Sequence, residues 1–370
     1  MRLTLTFNEE DEDIKMRLAF ADQRRYVIRA LVPEGYESYF QDQARYTSAH
    51  ASTAIEGNPM SPDEAMKMLA THDQPDSSEG QEKVNLDEAY ELAAQLAADK
   101  STDIDQGLIR TLNSIIQKSL PDPKARGRGK YRVGQSFIID KATRDIKYRP
   151  PAAEDVPELM DDYVTNVAEW IDRLPGPIAA ALAHFGLISI HPFEDGNGRT
   201  ARLVADMVLD LTSWSVESML SVSQAILDDH AGYIAALAEA QGKVFTEDVD
   251  VTPFVRFHTR MLAMSAAFLE EKVIRFNQRR DEFIENSDEL NERQVTGLMF
   301  MLDIGPISSS RYAKLNHSSQ SSAISDLTDL LNDGVVKRLG TGKTTRYDLE
   351  DEVRRHIEMG SGEEVGAKQQ

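Results

Sequence analysis

Apolar positions along this chain recur mostly at helical spacing. Between 156 and 173, Tyr163, Val164, Val167, Trp170 and Ile171 fall on one face. Residues 177–190 are apolar almost throughout, which predicts a helix enclosed on all sides at the centre of a bundle. Residues 36–56 carry few breakers and stop at Gly57-Asn58-Pro59. Ser61-Pro62-Asp63-Glu64 then restarts a helix, with Ser61 as N-cap, Pro62 at the first position and Glu64 closing a capping box. Residues 73–82 read as a polar surface loop, and helical stretches follow near 85–99 and 104–119. After 156 the helical pattern continues to about residue 285.

Two segments break that pattern. Tyr131, Val133, Phe137, Ile138, Ile146 and Tyr148 flank a polar run at 140–145, which predicts a β-hairpin. Beyond 290, short helices are expected at 294–303, 308–314 and 318–332. Strands at 335–339 and 345–349 follow, around Gly340-Thr341-Gly342. Three helices and a hairpin is the order of a winged helix-turn-helix. The expected organisation is an N-terminal helical region (1–99), a helical core (100–285), a winged-helix domain (286–357) and a disordered tail (358–370).

Composition narrows the function classes. The chain has 370 residues, 41% hydrophobic and 28% charged, the mix of a globular protein with ample core. No stretch approaches the ~20 apolar residues of a membrane helix, and MRLTLTFNEEDED lacks the features of a signal peptide, so a cytoplasmic protein is expected. The absence of cysteine excludes disulfides, zinc fingers and a thiol nucleophile. A net charge of −21 repels a nucleic-acid backbone unless a local basic patch overrides it.

The chemistry concentrates in His191-Pro192-Phe193-Glu194-Asp195-Gly196-Asn197-Gly198-Arg199-Thr200-Ala201-Arg202, between two helices. Gly196, Asn197 and Gly198 permit positive φ and an inward-facing nest of N–H groups. The next helix start adds its unpaired donors and partial positive charge. Arg199 and Arg202 lie three apart on that helix, so the set suits a polyphosphate better than a single carboxylate. Asp195 offers a hard oxygen ligand for Mg²⁺. His191, at the other edge of the loop, is placed as a general base. Together they describe a nucleotidyl or phosphoryl transfer site. Phe193 reads as a core anchor for the loop.

That run matches in full the pattern HPFx[D/E]GNGRxxR and so resembles the signature of Fic-domain proteins; the resemblance extends over roughly 100–245. It implies an all-α fold: a Fic-type helical bundle with a β-hairpin flap, here followed by the winged helix. It also implies transfer of AMP from Mg-ATP to Ser, Thr or Tyr hydroxyls of target proteins. His191 would deprotonate the hydroxyl and Asp195 would hold Mg²⁺. Gly196, Asn197 and Gly198 would cradle the phosphates, with Asn197 also touching the α-phosphate, while Arg199 and Arg202 would bind the outer ones. Tyr233 falls where the family lines its adenine pocket, although core packing accounts for it equally. The flap, from Val133 through Gly134, Gln135, Ser136 and Phe137 to Ile138, would pair with an extended target segment. A homodimer is implied by resemblance only.

Glu56 is a carboxylate in the last turn of its helix, opposed to the helix dipole, so a cation should answer it. Ser52, Glu56 and Gly57 meet the family's inhibitory pattern [S/T]xxxE[G/N], in which the Glu pairs with the second motif arginine, here Arg202. Three alternatives stay open: removal of AMP instead of its transfer, transfer of another nucleotide, and a DNA-binding regulator acting through the winged helix. The helix expected at 318–332, which would enter the major groove, carries Asp326 and Asp329 and no basic residue, while the wing carries Lys337, Arg338, Lys343 and Arg346. Gly342-Lys343-Thr344 imitates the end of a P-loop, but Lys337 stands where the earlier glycine is required.

Overall fold

The computed structural model describes residues 2–71, 75–121, 127–139, 143–285 and 290–360. The chain is all-α. A short strand β1 (Thr4–Thr6) leads into α1 (Glu12–Leu31), capped by Asp11, whose carboxylate accepts from the Ile14 N–H. Ile14, Ala21 and Ile28, each seven residues apart, are its buried positions, a single seam along one side. Next come α2 (Glu37–Ile55), α3 (Pro62–Thr71), α4 (Ser78–Ala98) and α5 (Gln106–Ile116). The loop expected over 73–82 is shorter than expected: Ser77 caps the Gly80 N–H, so 78–82 already belong to α4, and 72–74 lie outside the described residues.

The hairpin is much reduced from the expected span. Only β2 (Ile138–Ile139) and β3 (Ile146–Tyr148) ladder, antiparallel and with an irregular register. The cause lies upstream, where Tyr131 bridges Phe193 and the Arg132 N–H donates to the Pro192 carbonyl at 2.8 Å. That backbone is spent on the core, and Pro150 and Pro151 have no N–H to offer β-pairing.

The centre is α6 (Val156–Arg173), α7 (Gly176–Ile190) and α8 (Asn197–Leu211). Every residue of α7 is buried, as its unbroken apolar run predicts, with α6, α8 and a later helix packed around it. After α9 (Val222–Asp228), α10 (His230–Gln241) and β4 (Asp248–Asp250), α11 (Thr252–Glu285) runs along both α1 and α7. Strand β4 pairs in parallel with β1, tying the chain's first residues to the start of α11. Among the described residues no helix is long and apolar enough to cross a membrane.

The C-terminal unit is α12 (Glu292–Asp303), α13 (Ser309–Leu315), α14 (Gln320–Asn332), the antiparallel pair β5 (Val336–Leu339) and β6 (Arg346–Leu349), and α15 (Asp351–Gly360). Helix α15 is an addition to the expected order; it occupies 358–360 of the expected tail, and 361–370 lie outside the described residues. The tip of the wing is a tight turn over Gly342–Thr344, where the P-loop imitation falls. Asp326 is buried and accepts from Asn291, Arg293 and Tyr312, so it clasps the unit's own helices together. Lys337 pairs with Asp351 at 2.5 Å and Arg346 donates to the Thr71 carbonyl at 2.6 Å. Part of the wing's positive charge is thus used inside the protein. The unit rests on α2, where Tyr39 bonds Asp303 and Asp42 meets Arg311.

The packing yields a stability contrast. Phe185→Ala, in the enclosed helix α7, should lower the unfolding free energy by about 3–5 kcal/mol. Val133→Ala, at a side chain 94% exposed, should change it by less than about 0.5 kcal/mol. Urea titrations of the two variants check both.

Candidate active site

Helix α7 ends on His191, whose φ of 53° is left-handed and sharply turns the chain out of the core. A non-glycine residue in that region costs about 1 kcal/mol or more, so neighbours must hold it. Arg132 donates from Nε to the His191 carbonyl at 2.9 Å. Phe193 is fully buried, and its N–H donates to Asn197 Oδ1 at 2.9 Å while Asn197 Nδ2 donates back to the Phe193 carbonyl at 2.8 Å. This two-bond clasp ties both ends of the Asn197 amide to the loop's own backbone and leaves one Nδ2 N–H over. Gly196, at φ 80°, closes the turn and caps α8. A Cβ there would lie 3.0 Å from Asn113 Nδ2, so the position needs glycine for space as well as conformation.

Beneath the loop lies a buried polar brace that motif reading did not single out. Asn113 and Gln117 both donate to the Asp195 carbonyl, at 3.1 and 2.8 Å. Asn113 also bonds Thr200, whose hydroxyl donates to the Gly196 carbonyl at 2.8 Å. Each loop carbonyl so met avoids the ~1–3 kcal/mol cost of a buried orphan. The signal available in the sequence was two amides four residues apart, on the face shared by Ile109, Leu112 and Ile116.

The two arginines on α8 are both buried, Arg202 with a side chain 1% exposed. Arg199 pairs with Asp195 at 3.1 Å, and the other Asp195 oxygen accepts from the Gly196 N–H at 2.6 Å. Arg202 donates from Nε to the Ser52 hydroxyl at 2.7 Å, and from Nη2 to the Ser52 carbonyl at 2.8 Å and to Glu56 Oε1 at 2.7 Å. Arg199 Nε and Arg202 Nη1 are buried donors with no hydrogen-bond partner among the described residues. Buried unpaired guanidinium donors beside a helix N-terminus are chemically suited to an anion with several oxygens.

Glu56 follows the last residue of α2 and is 45% exposed at its side chain. Burial pushes its carboxyl upward, but the attraction and hydrogen bond of Arg202, aided by Arg199 and His191, outweigh this and hold it below its ordinary value. A Cβ on Gly198 would run into Glu56 Oε1, so the carboxylate lies directly over the first turn of α8. There it gains from the positive end of α8 what it loses at the negative end of α2. Burial, assisted by Arg132, pulls His191 down to about 4, so its imidazole is neutral at pH 7.

Tyr233 lies in the core, as the packing alternative expects. It is 3% exposed, packs against Phe254 and Phe257, and its hydroxyl lies 3.0 Å from His184 Nε2. The structure makes it a core residue beneath Arg202. In the flap, Val133, Gly134, Gln135 and Phe137 are exposed while Ser136 and Ile138 are half-buried. Gln135 Nε2 donates to the Pro150 carbonyl at 3.0 Å, which holds the flap against the loop behind it.

Residues 103–209 match the Fic/DOC family. Over 231 residues the chain is 30% identical to a protein adenylyltransferase Fic of Nematostella vectensis, covering 60% of this chain and 47% of that protein. It is 34% identical over 130 residues to protein adenylyltransferase fic-1 of Caenorhabditis briggsae, covering 35% of this chain and 22% of that one. The chain thus spans half or less of the length of these curated relatives. Among solved structures, a Fic family protein from Desulfovibrio desulfuricans G20 superposes with a TM-score of 0.55 at 22% identity, over 93% of this chain and 98% of that one. A Fic-1 fragment from C. elegans gives 0.53 at 21% identity, over 69% and 70%. At such identities the likeness to solved structures is one of fold.

Two measurements follow from this geometry. Ser52→Ala strands the buried Arg202 Nε and should cost about 1–3 kcal/mol, read by urea unfolding. The Glu56 carboxyl is lowered on folding, so its contribution to stability is present above its ordinary 4.5 and is lost as pH falls through the lower folded value. The stability gap between wild type and Glu56→Gln should therefore close on acidification. A gap that widens in acid would overturn the pairing.

Proposed function

We propose that this chain, which carries a Fic domain over residues 103–209, is a protein adenylyltransferase held in check by its own Glu56. The observation that carries this reading is the seat at the start of α8. An anion-ready helix terminus and two buried arginines converge there, and the protein's own carboxylate occupies one of those arginines.

The chemistry follows from the residues. Neutral His191 takes the proton from a Ser, Thr or Tyr hydroxyl of the target. The freed oxygen attacks the α-phosphorus of ATP, a new P–O bond forms, and the bond to the bridging oxygen breaks. Pyrophosphate leaves with that electron pair and AMP stays on the target. The N–H groups at Asn197 and Gly198 meet the charge on the phosphates, the Gly196 N–H being held by Asp195, and Arg199 and Arg202 meet that on the leaving group. Among the described residues no cluster of three or more carboxylate or histidine groups could hold a metal alone. A single part-exposed carboxylate beside a phosphate seat does fit an ion held partly by the nucleotide, and Asp195 is that carboxylate. Mg²⁺ bound there would neutralise phosphate oxygens. The charge on Glu56 favours a second reading on the same residues, hydrolytic removal of AMP with Glu56 orienting a water. A homodimer, a winged helix that positions targets and a cytoplasmic site of action complete the proposal.

Incubation with α-³²P-labelled ATP and Mg²⁺ tests it, read as label on protein after a denaturing gel. Freeing Arg202 from a charge-assisted hydrogen bond is worth about 1.5–3 kcal/mol, so Glu56→Gly should raise labelling roughly 10- to 100-fold. Adding His191→Ala should remove about 10²- to 10⁴-fold of that while ATP still binds. Unchanged labelling in Glu56→Gly, with Arg202 intact, would defeat the brake. Loss of preformed label with wild type alone would favour AMP removal. His191 acts when neutral and its folded value is about 4, against 6.5 for an ordinary imidazole. Transfer by Glu56→Gly should persist down to about pH 5 and fall below it; a limb centred at 6.5 or above would contradict His191 as a buried base.

A further inference from the structure

Arg132 is 3% exposed and forms no ion pair among the described residues. Each guanidinium nitrogen donates to a backbone carbonyl, one nearby on the same segment and two on other segments. Nε donates to His191 at 2.9 Å, Nη1 to Gly134 at 3.0 Å and Nη2 to Pro151 at 2.6 Å. Its own N–H donates to the Pro192 carbonyl at 2.8 Å. Next to it, Tyr131 bridges Phe193 and donates its hydroxyl to Gln106 at 2.7 Å.

Burying a guanidinium is expensive even with a carboxylate as near as Glu194, and an apolar side chain of similar volume fills space at lower cost. What an apolar chain cannot do is hold three carbonyls in a fixed geometry. One of them belongs to His191, whose left-handed backbone sets the heading of the imidazole. Another belongs to Gly134, at the root of the exposed flap. The third, on Pro151, closes the flap's far side. One planar group therefore spans the base and the surface on which a target strand would lie.

We infer that Arg132 is a positioning residue that fixes the flap in register with His191, so that a strand docked on the flap presents its hydroxyl to the imidazole. This rests on the adenylyltransferase reading for its consequence, though the tie itself does not depend on activity. Arg132 touches neither the nucleotide seat nor Arg199 or Arg202. Loosening it should spare ATP binding and impair the chemical step, since about 1 Å of misplacement can cost on the order of 10²-fold in rate.

The test uses Arg132→Gln and Arg132→Lys, each in the full chain. Hydrogen–deuterium exchange, which needs no activity, should show faster exchange in peptides covering 131–139 and 190–197 together. Faster exchange in the flap alone would overturn the tie. In the Glu56→Gly background both variants should lose about 10- to 100-fold in kcat, with the KM for ATP within about twofold. Full activity in Arg132→Lys would reduce the residue to a charge and overturn the inference, as would a KM for ATP that rises in step with the loss of kcat. Arg132→Lys keeps charge and most of the volume, and serves where Arg132→Gln does not fold. No transfer by Glu56→Gly with Arg132 intact would count against the adenylyltransferase reading, while the exchange data still decide the tie.

Discussion

Arg202 is the residue around which the rest of this architecture is arranged. Its side chain is almost wholly buried, and a buried guanidinium is tolerable only where most of its donors are met. The protein meets them with Ser52 and Glu56, which lie 150 and 146 residues away in the chain. To bring them there, α2 must end against the start of α8, with Gly198 leaving room for the carboxylate. The last turns of α2 are also anchored from α4, where the buried amine of Lys83 donates to Thr53 Oγ1 at 2.8 Å and lies 3.2 Å from His50 Nδ1. The other end of α2 is gripped by the C-terminal unit through Tyr39 and Asp42. The helix that carries Glu56 is thus located at both ends by packing and hydrogen bonds.

The loop at 191–198 is built by a different economy. Its backbone is bent at His191 and Gly196, and almost every polar side chain beneath it is spent on its carbonyls: Asn113, Gln117, Thr200 and Asn197 from the core side, Arg132 from the flap. The groups left unmet include two guanidinium donors suited to an outside anion, Arg199 Nε and Arg202 Nη1, besides Gln117 Oε1 and His191 Nδ1. A rigid, pre-paid frame with a few free donors is what electrostatic stabilisation of phosphoryl chemistry requires, because no reorganisation is then needed as charge develops.

Several parts of this were legible in the residues. The enclosed helix α7 follows from an unbroken apolar run, and a turn follows from Gly196; the turn expected to extend over Asn197 and Gly198 is shorter, because both already belong to α8. The opposed carboxylate of Glu56 announced a need for a cation. Other parts were not. The reach of the hairpin depended on where Tyr131 and Arg132 spend their backbone, which no alternation of side chains records. Asp326 counted against nucleic-acid binding as a surface charge, yet it is a buried clasp for Asn291, Arg293 and Tyr312. The contacts that hold Asn197 to the Phe193 backbone and Tyr233 beside His184 were equally out of reach of the sequence.

The division has a physical cause. Helix periodicity, caps, glycine turns and the local chemistry of residues 191–202 are determined within about one or two turns of chain, because sterics and local hydrogen bonds act at that range. The sequence alone therefore determined the helical class, the sharp loop between α7 and α8 and the candidate base. Which carbonyls Arg132 holds, which amides brace Asp195, and how Glu56 meets Arg202 depend on contacts between segments tens to more than a hundred residues apart. Those were decided only by tertiary packing, where burial removes water as a partner and each polar group must find another within the fold.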